Sequence, residues 1–206
     1  MSRTLLAIVT FILTTACAAS PPAKTILILG DSLSAGFGIA RQQSWPVLLE
    51  QRLHTQAYPY RVANVSISGE TTRGGLSRLA PALEQHRPAI IIVALGANDG
   101  LRGLPLEQLR DNLNAIIQLS KASRARILLL GMQLPPNYGI DYTRKFQQIY
   151  AELARRHKVP LEPFLLAGLA DNRDAFQSDG LHPTAQAQPV ILDNVWRGLR
   201  PLLRKH

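Results

Sequence analysis

The chain has 206 residues, 46% of them hydrophobic, a single cysteine, and 23 Lys and Arg against 14 Asp and Glu, for a formal charge of +9. This length and apolar content suit one globular domain, and the lone cysteine excludes an intramolecular disulfide. The basic residues are scattered, densest at Arg155-Arg156-His157-Lys158 and Arg204-Lys205-His206, without aromatic interleaving; they read as a solvated surface with cations at helix ends, not as a nucleic-acid site.

Taken in chain order, the first segment has Arg3, an apolar stretch over residues 5–13 and then small residues, the layout of a secretory signal peptide. The apolar stretch is too short for a permanent membrane anchor. Ala16-Cys17-Ala18 fits the small-x-small cleavage pattern, which assigns 1–18 to the signal and 19–206 to the mature domain. Removal of Arg3 takes the charge from +9 to +8. Cys17 leaves with the signal on this reading; the alternative is a lipoprotein lipidated at Cys17, for which Thr14 is a weak match at the preceding aliphatic position. A periplasmic or secreted protein is expected, and a cysteine nucleophile is excluded.

Beyond Pro21-Pro22, strand patterns fall at 25–29, 61–65, 89–95 and 126–131, with a weaker one at 159–161. Helical stripes lie between and after them: Leu76, Leu79 and Leu83; then Leu106, Leu109, Leu113 and Ile116 behind Pro105, which is expected in the first turn; then Ile191, Val195, Leu199 and Leu202. The alternation predicts an α/β fold of three layers, a mostly parallel five-stranded sheet with helices on both faces. In such a sheet ligands bind outside the carboxyl ends of the strands. Polar clusters at 30–34, 66–72 and 96–103 follow the first three strands and converge there. The cluster at 179–182 precedes the last helix, and an αβ connection would bring it to the same edge.

Within Gly30-Asp31-Ser32-Leu33-Ser34, an apolar run stops at a glycine and presents Ser32 at the mouth of the sheet. Serine is a poor nucleophile without an adjacent base. His182 supplies one, and Asp179, three positions earlier, can orient and stabilise its ring. Donors for an oxyanion are the Ser32 N–H, the N–H of Gly69, where a missing Cβ permits close approach, and the side-chain amide of Asn98. His54, His86, His157 and His206 read as solvated cations near helix ends or the C-terminus. Asp31 and Asp99 read as structural residues bonding loop backbone. The chain has no Gly-x-Ser-x-Gly elbow, no metal-ligand spacing, no phosphate loop and no dinucleotide fingerprint, so neither a metal nor a cofactor is expected.

These blocks resemble the GDSL, or SGNH, hydrolase superfamily, whose Ser, Gly, Asn and His match Ser32, Gly69, Asn98 and His182 in order and spacing. The likeness extends through 67–72, 96–103, Gln133-Leu134-Pro135-Pro136-Asn137-Tyr138-Gly139 and 179–183. It is similar there to the periplasmic multifunctional acyl-CoA thioesterase, lysophospholipase and arylesterase branch, over nearly the whole mature chain. The resemblance implies a flavodoxin-like fold, Asp179 as third member of a triad, and Gly69 and Asn98 as oxyanion donors. Two departures stand out: Glu70 where aspartate is common, and Leu104 where an aromatic is expected, the latter bearing on acyl-chain preference.

The reading is therefore an exported, monomeric serine esterase acting on small acyl esters or thioesters, with contact to lipid surfaces. Leu101, Leu104, Pro135 and Tyr138, on loops bordering the site, are candidates for an apolar acyl groove; the plainer reading has them packing the loops. One rival is a carbohydrate O-deacetylase, which needs sugar-stacking aromatics in a chain with only 6% aromatic residues. Another is a non-catalytic module that holds anionic lipid or nucleic acid on its positive surface.

Overall fold

The computed structural model describes residues 23–205. The expectations for the signal peptide over 1–18, Cys17, Pro21-Pro22 and His206 lie outside the described residues. In chain order the elements are β1 (Lys24–Gly30), α1 (Ser32–Ala35), α2 (Trp45–Thr55), β2 (Tyr60–Asn64), α3 (Thr72–His86), β3 (Ile90–Ala94), α4 (Ala97–Leu101), α5 (Leu106–Ala122), β4 (Arg126–Leu130), α6 (Ile140–His157), β5 (Leu161–Glu162) and α7 (Gln188–Leu199). The strands form one sheet in the order β2-β1-β3-β4-β5, and all four pairings are parallel.

Strand position explains strand composition. The interior strands β1 and β3 carry Ile26 to Leu29 and Ile90 to Val93, all fully buried, because helices cover both faces. The edge strand β2 is only partly buried. The helices α3, α5 and α6 pack side by side on one face, while α2 and α7 pack together on the other. The α5 stripe of Leu109, Leu113, Ile116 and Ile117 is buried against the sheet.

Several local expectations are displaced. The fifth strand begins at Leu161 rather than 159, because Pro160 lacks an N–H and contributes only its carbonyl, which accepts from Leu129 N–H at 3.0 Å. Pro105 is the cap before α5 and not a first-turn residue. Leu202 falls in a 3-10 turn after α7, since Pro201 cannot continue an α-helix. Arg204 and Lys205 follow that turn instead of ending a helix. His157 is no solvated cation: its Nε2 lies 2.7 Å from Asn114 Oδ1, and partial burial, then Lys121 and Arg156, push its pKa down.

Candidate active site

The sheet order reverses direction between β1 and β3, which lie side by side while their chains leave toward opposite edges. A crevice forms at such a point. Ser32 opens α1 directly after β1, and Asn98 is the second residue of α4 after β3, so both reach the crevice from neighbouring strands. Asp31 caps α1 through Oδ1, which accepts from Leu33 N–H at 3.0 Å. The segment 179–182 arrives by the connection from β5 to α7, a βα connection and not the expected αβ one. That places it at the carboxyl edge with the other clusters.

Four hydrogen bonds organise the polar end of the site. His182 Nε2 is 2.9 Å from Ser32 Oγ, and His182 Nδ1 is 2.7 Å from Asp179 Oδ2. Asp179 Oδ1 accepts the N–H groups of Leu181 at 2.9 Å and His182 at 3.0 Å. The Leu181 amide first, then the His182 ring and amide, hold the Asp179 carboxyl down to about 2. An ionised Asp179 takes the Nδ1 proton as its hydrogen-bond donor, which leaves the Nε2 lone pair facing the Ser32 hydroxyl. Such an array can draw a proton from Oγ as it attacks an electrophile.

Two loops stand beside it, stapled to each other. Gly69 is the third residue of a turn closed by Glu70 N–H to Ile67 O at 3.1 Å, with φ at 78°, a left-handed value that favours glycine. Arg102 Nη2 donates to Gly69 O at 2.8 Å, and Asn98 Nδ2 donates to Glu70 O at 3.0 Å. One N–H of the Asn98 amide is thus occupied, and the other remains for a ligand. Asp99 accepts Thr72 N–H at 2.9 Å and the Thr72 hydroxyl, while the Glu70 carboxylate pairs with Arg78 at 2.7 Å. Asp31 is nearly inaccessible, and burial pushes its pKa up to about 7 against the lowering effect of the Leu33 N–H.

A cavity of about 550 Å³ has Ser32, Asn98 and His182 in its wall, together with Leu101, Met132, Leu134, Pro135, Phe164, Leu166 and Phe176. A depression of about 590 Å³ between α5 and α6, lined by Leu106, Glu107, Arg110, Asp141, Tyr142 and Lys145, includes none of these polar residues. Residues 28–188 match the GDSL-like lipase/acylhydrolase family. The chain belongs to that family.

As a GDSL hydrolase it is 47% identical to esterase TesA of Pseudomonas aeruginosa, over 88% of this chain and 90% of that protein. It is 43% identical to thioesterase 1/protease 1/lysophospholipase L1 of Escherichia coli strain K12, over 88% of this chain and 86% of that protein. The crystal structure of the psychrotrophic esterase EstA from Pseudoalteromonas sp., inhibited by monoethylphosphonate, superposes with a TM-score of 0.83 at 38% identity, covering 86% of this chain and 97% of that one. The protein is an enzyme, a carboxylic ester hydrolase of the GDSL type.

Of the four groove candidates in this GDSL hydrolase, Leu101 and Pro135 line the cavity and Leu104 and Tyr138 do not. The Tyr138 hydroxyl is turned to Leu101 O at 3.0 Å, so it supports the wall from behind. Leu104 is tied back through its N–H to Asp99 O and through its carbonyl to the Tyr142 hydroxyl, both at 3.0 Å. Sequence reasoning passed over Met132, Leu134, Phe164 and Leu166. Their signal is position: each follows a strand, β4 or β5, at the carboxyl edge where ligands bind.

Proposed function

We propose that this GDSL hydrolase cleaves acyl esters and thioesters through a Ser32-His182-Asp179 triad and a covalent acyl-enzyme. The observation that carries the reading is the unbroken run of hydrogen bonds from Ser32 Oγ through the imidazole to Asp179, at 2.9 and 2.7 Å. Ser32 Oγ attacks the acyl carbonyl while its proton passes to His182 Nε2. The oxyanion is received by the N–H groups of Ser32 and Gly69 and by the free N–H of Asn98. The bond to the alcohol or thiol then breaks, and the leaving group departs with the proton from His182. Water, deprotonated by the same ring, attacks the ester formed on Ser32; the acid leaves and Oγ regains its proton. Asp179 keeps its charge throughout and stabilises the imidazolium. The acyl chain lies along Leu101, Pro135, Met132 and Leu134.

Inhibition of the EstA relative by a phosphonate, whose tetrahedral phosphorus resembles the intermediate, supports this scheme. The aliphatic side chains of Leu101, Met132, Leu134 and Leu166 in the wall support an acyl chain over a sugar. The remainder of the reading is an exported monomer, its domain running over 19–206 after removal of 1–18, that meets lipid surfaces and binds no nucleic acid.

Ser32→Ala is expected to abolish turnover of p-nitrophenyl esters and covalent labelling by a fluorophosphonate. Retention of either removes Ser32 as nucleophile. In the wild-type enzyme, octanoyl esters should be cleaved as readily as acetyl esters; activity confined to acetyl would replace this reading with that of a deacetylase.

A further inference from the structure

The hydrogen bond between Ser32 and His182 joins residues 150 positions apart, and on the proposed mechanism it is broken and remade in every cycle. It cannot by itself keep the two segments in register. Other bonds link them that no proton transfer disturbs. Phe37 N–H donates to Ser32 O at 3.3 Å, which ties the turn leaving α1 to the carbonyl of the nucleophile. Gln177 Nε2 then spends one N–H on Phe37 O at 2.8 Å and its other on Pro183 O at 3.1 Å, one residue past His182. The Phe37 ring lies against the imidazole, with centroids 4.4 Å apart and planes inclined at 37°.

Gln177 is itself well anchored. Its N–H donates to His182 O at 2.8 Å, and its carbonyl accepts Arg173 Nη1 at 2.7 Å, while Arg173 Nη2 holds Ser178 O at 2.9 Å. Its side chain also needs an unobstructed path. Gly38 sits at φ 73°, and a Cβ there would come within 2.1 Å of Gln177 Oε1.

We propose that Gln177 is a positioning residue: its amide braces the turn after α1 against the segment bearing His182 and, with Phe37, sets the distance and tilt at which the imidazole meets Ser32 Oγ. This inference rests on the Ser32-His182 reading above. A half-buried amide bonded to two loop carbonyls adds little to global stability, whereas a shift of a fraction of an ångström between base and nucleophile is costly to rate.

The test compares wild type, Gln177→Met, Gln177→Ala and Ser32→Ala. Methionine keeps the length of glutamine and removes both donors. Both Gln177 variants should show kcat on a short p-nitrophenyl ester and the rate of fluorophosphonate labelling reduced about tenfold, with KM changed by less than about twofold. Gln177→Met with wild-type kcat and labelling rate overturns the proposal. An inert Ser32→Ala beside a fully active Gln177→Met removes the brace alone. A Ser32→Ala that still turns over removes the triad reading beneath it.

Discussion

Two carboxylates near Ser32 are moved in opposite directions by their surroundings. Asp179, fed by two backbone amides and the imidazole, is held down to about 2, below its ordinary 3.8. Its contribution to stability is present above the unfolded value and is lost only as pH falls through about 2. On mild acidification the carboxylate therefore stays charged. Asp179 should add no step of its own to the acid limb of log kcat/KM above about pH 3, and a limb with a slope of two there would overturn that expectation. Asp31 is the reverse case. Burial raises its folded pKa from 3.8 to about 7, so the stability associated with it is greatest below the unfolded value and is lost as pH rises through about 7. The penalty at higher pH is at most about 4 kcal/mol. Asparagine caps a helix as well as aspartate does. Unfolding in urea across this range should find Asp31→Asn gaining on wild type from about pH 4 and levelling off above about pH 7.

At the scale of elements, the site depends on how the loop before α3 meets α4. Asn98 to Glu70, Asp99 to Thr72 and Arg102 to Gly69 are three staples along one seam. Asp99 is the buried one, and it accepts both donors of Thr72, a residue with no exposure. Asp99→Ala strands those donors, since Asn112 Nδ2, 3.1 Å from the Thr72 hydroxyl, donates to its oxygen and cannot accept its proton. The expected loss is roughly 2–3 kcal/mol in chemical denaturation. Turnover should fall as well, because Asn98 and Gly69 part along the same seam. An Asp99→Ala protein with wild-type stability and kcat would show that the seam is held elsewhere.

Across the whole molecule, the Ser32, His182 and Asp179 array sits at the carboxyl edge of a sheet whose interior strands are packed on both faces. Ile92, in the middle of β3, has no exposure and lies between Ile28 of β1 and Leu128 of β4. Ile92→Ala should cost roughly 2–5 kcal/mol while leaving kcat of the folded protein within about twofold of wild type, since the cavity created lies in the core. A large drop in kcat with unchanged stability would mean that the core and the site are coupled.

What could be read before folding was local in origin. The Thr25 to Leu29 run names its strand because buried parallel strands are apolar on both faces, and the Leu109, Leu113 and Ile116 spacing names its helix because one face meets the sheet. Ser32 and Asn98 were legible for the same reason: each follows a strand within a few residues, so strand position places it. His182 and Asp179 could be paired by spacing, but not brought to the correct edge by the right kind of connection, since that depends on the two-residue strand β5. Tertiary structure alone decided which side chains wall the cavity, turning Tyr138 and Leu104 away and Met132 and Phe164 in. It also decided that His157 is bonded to Asn114 and that Gln177 reaches Phe37. These are contacts between segments far apart in the chain, and periodicity reports the neighbours of a residue along its own element, never the partner it meets across the fold.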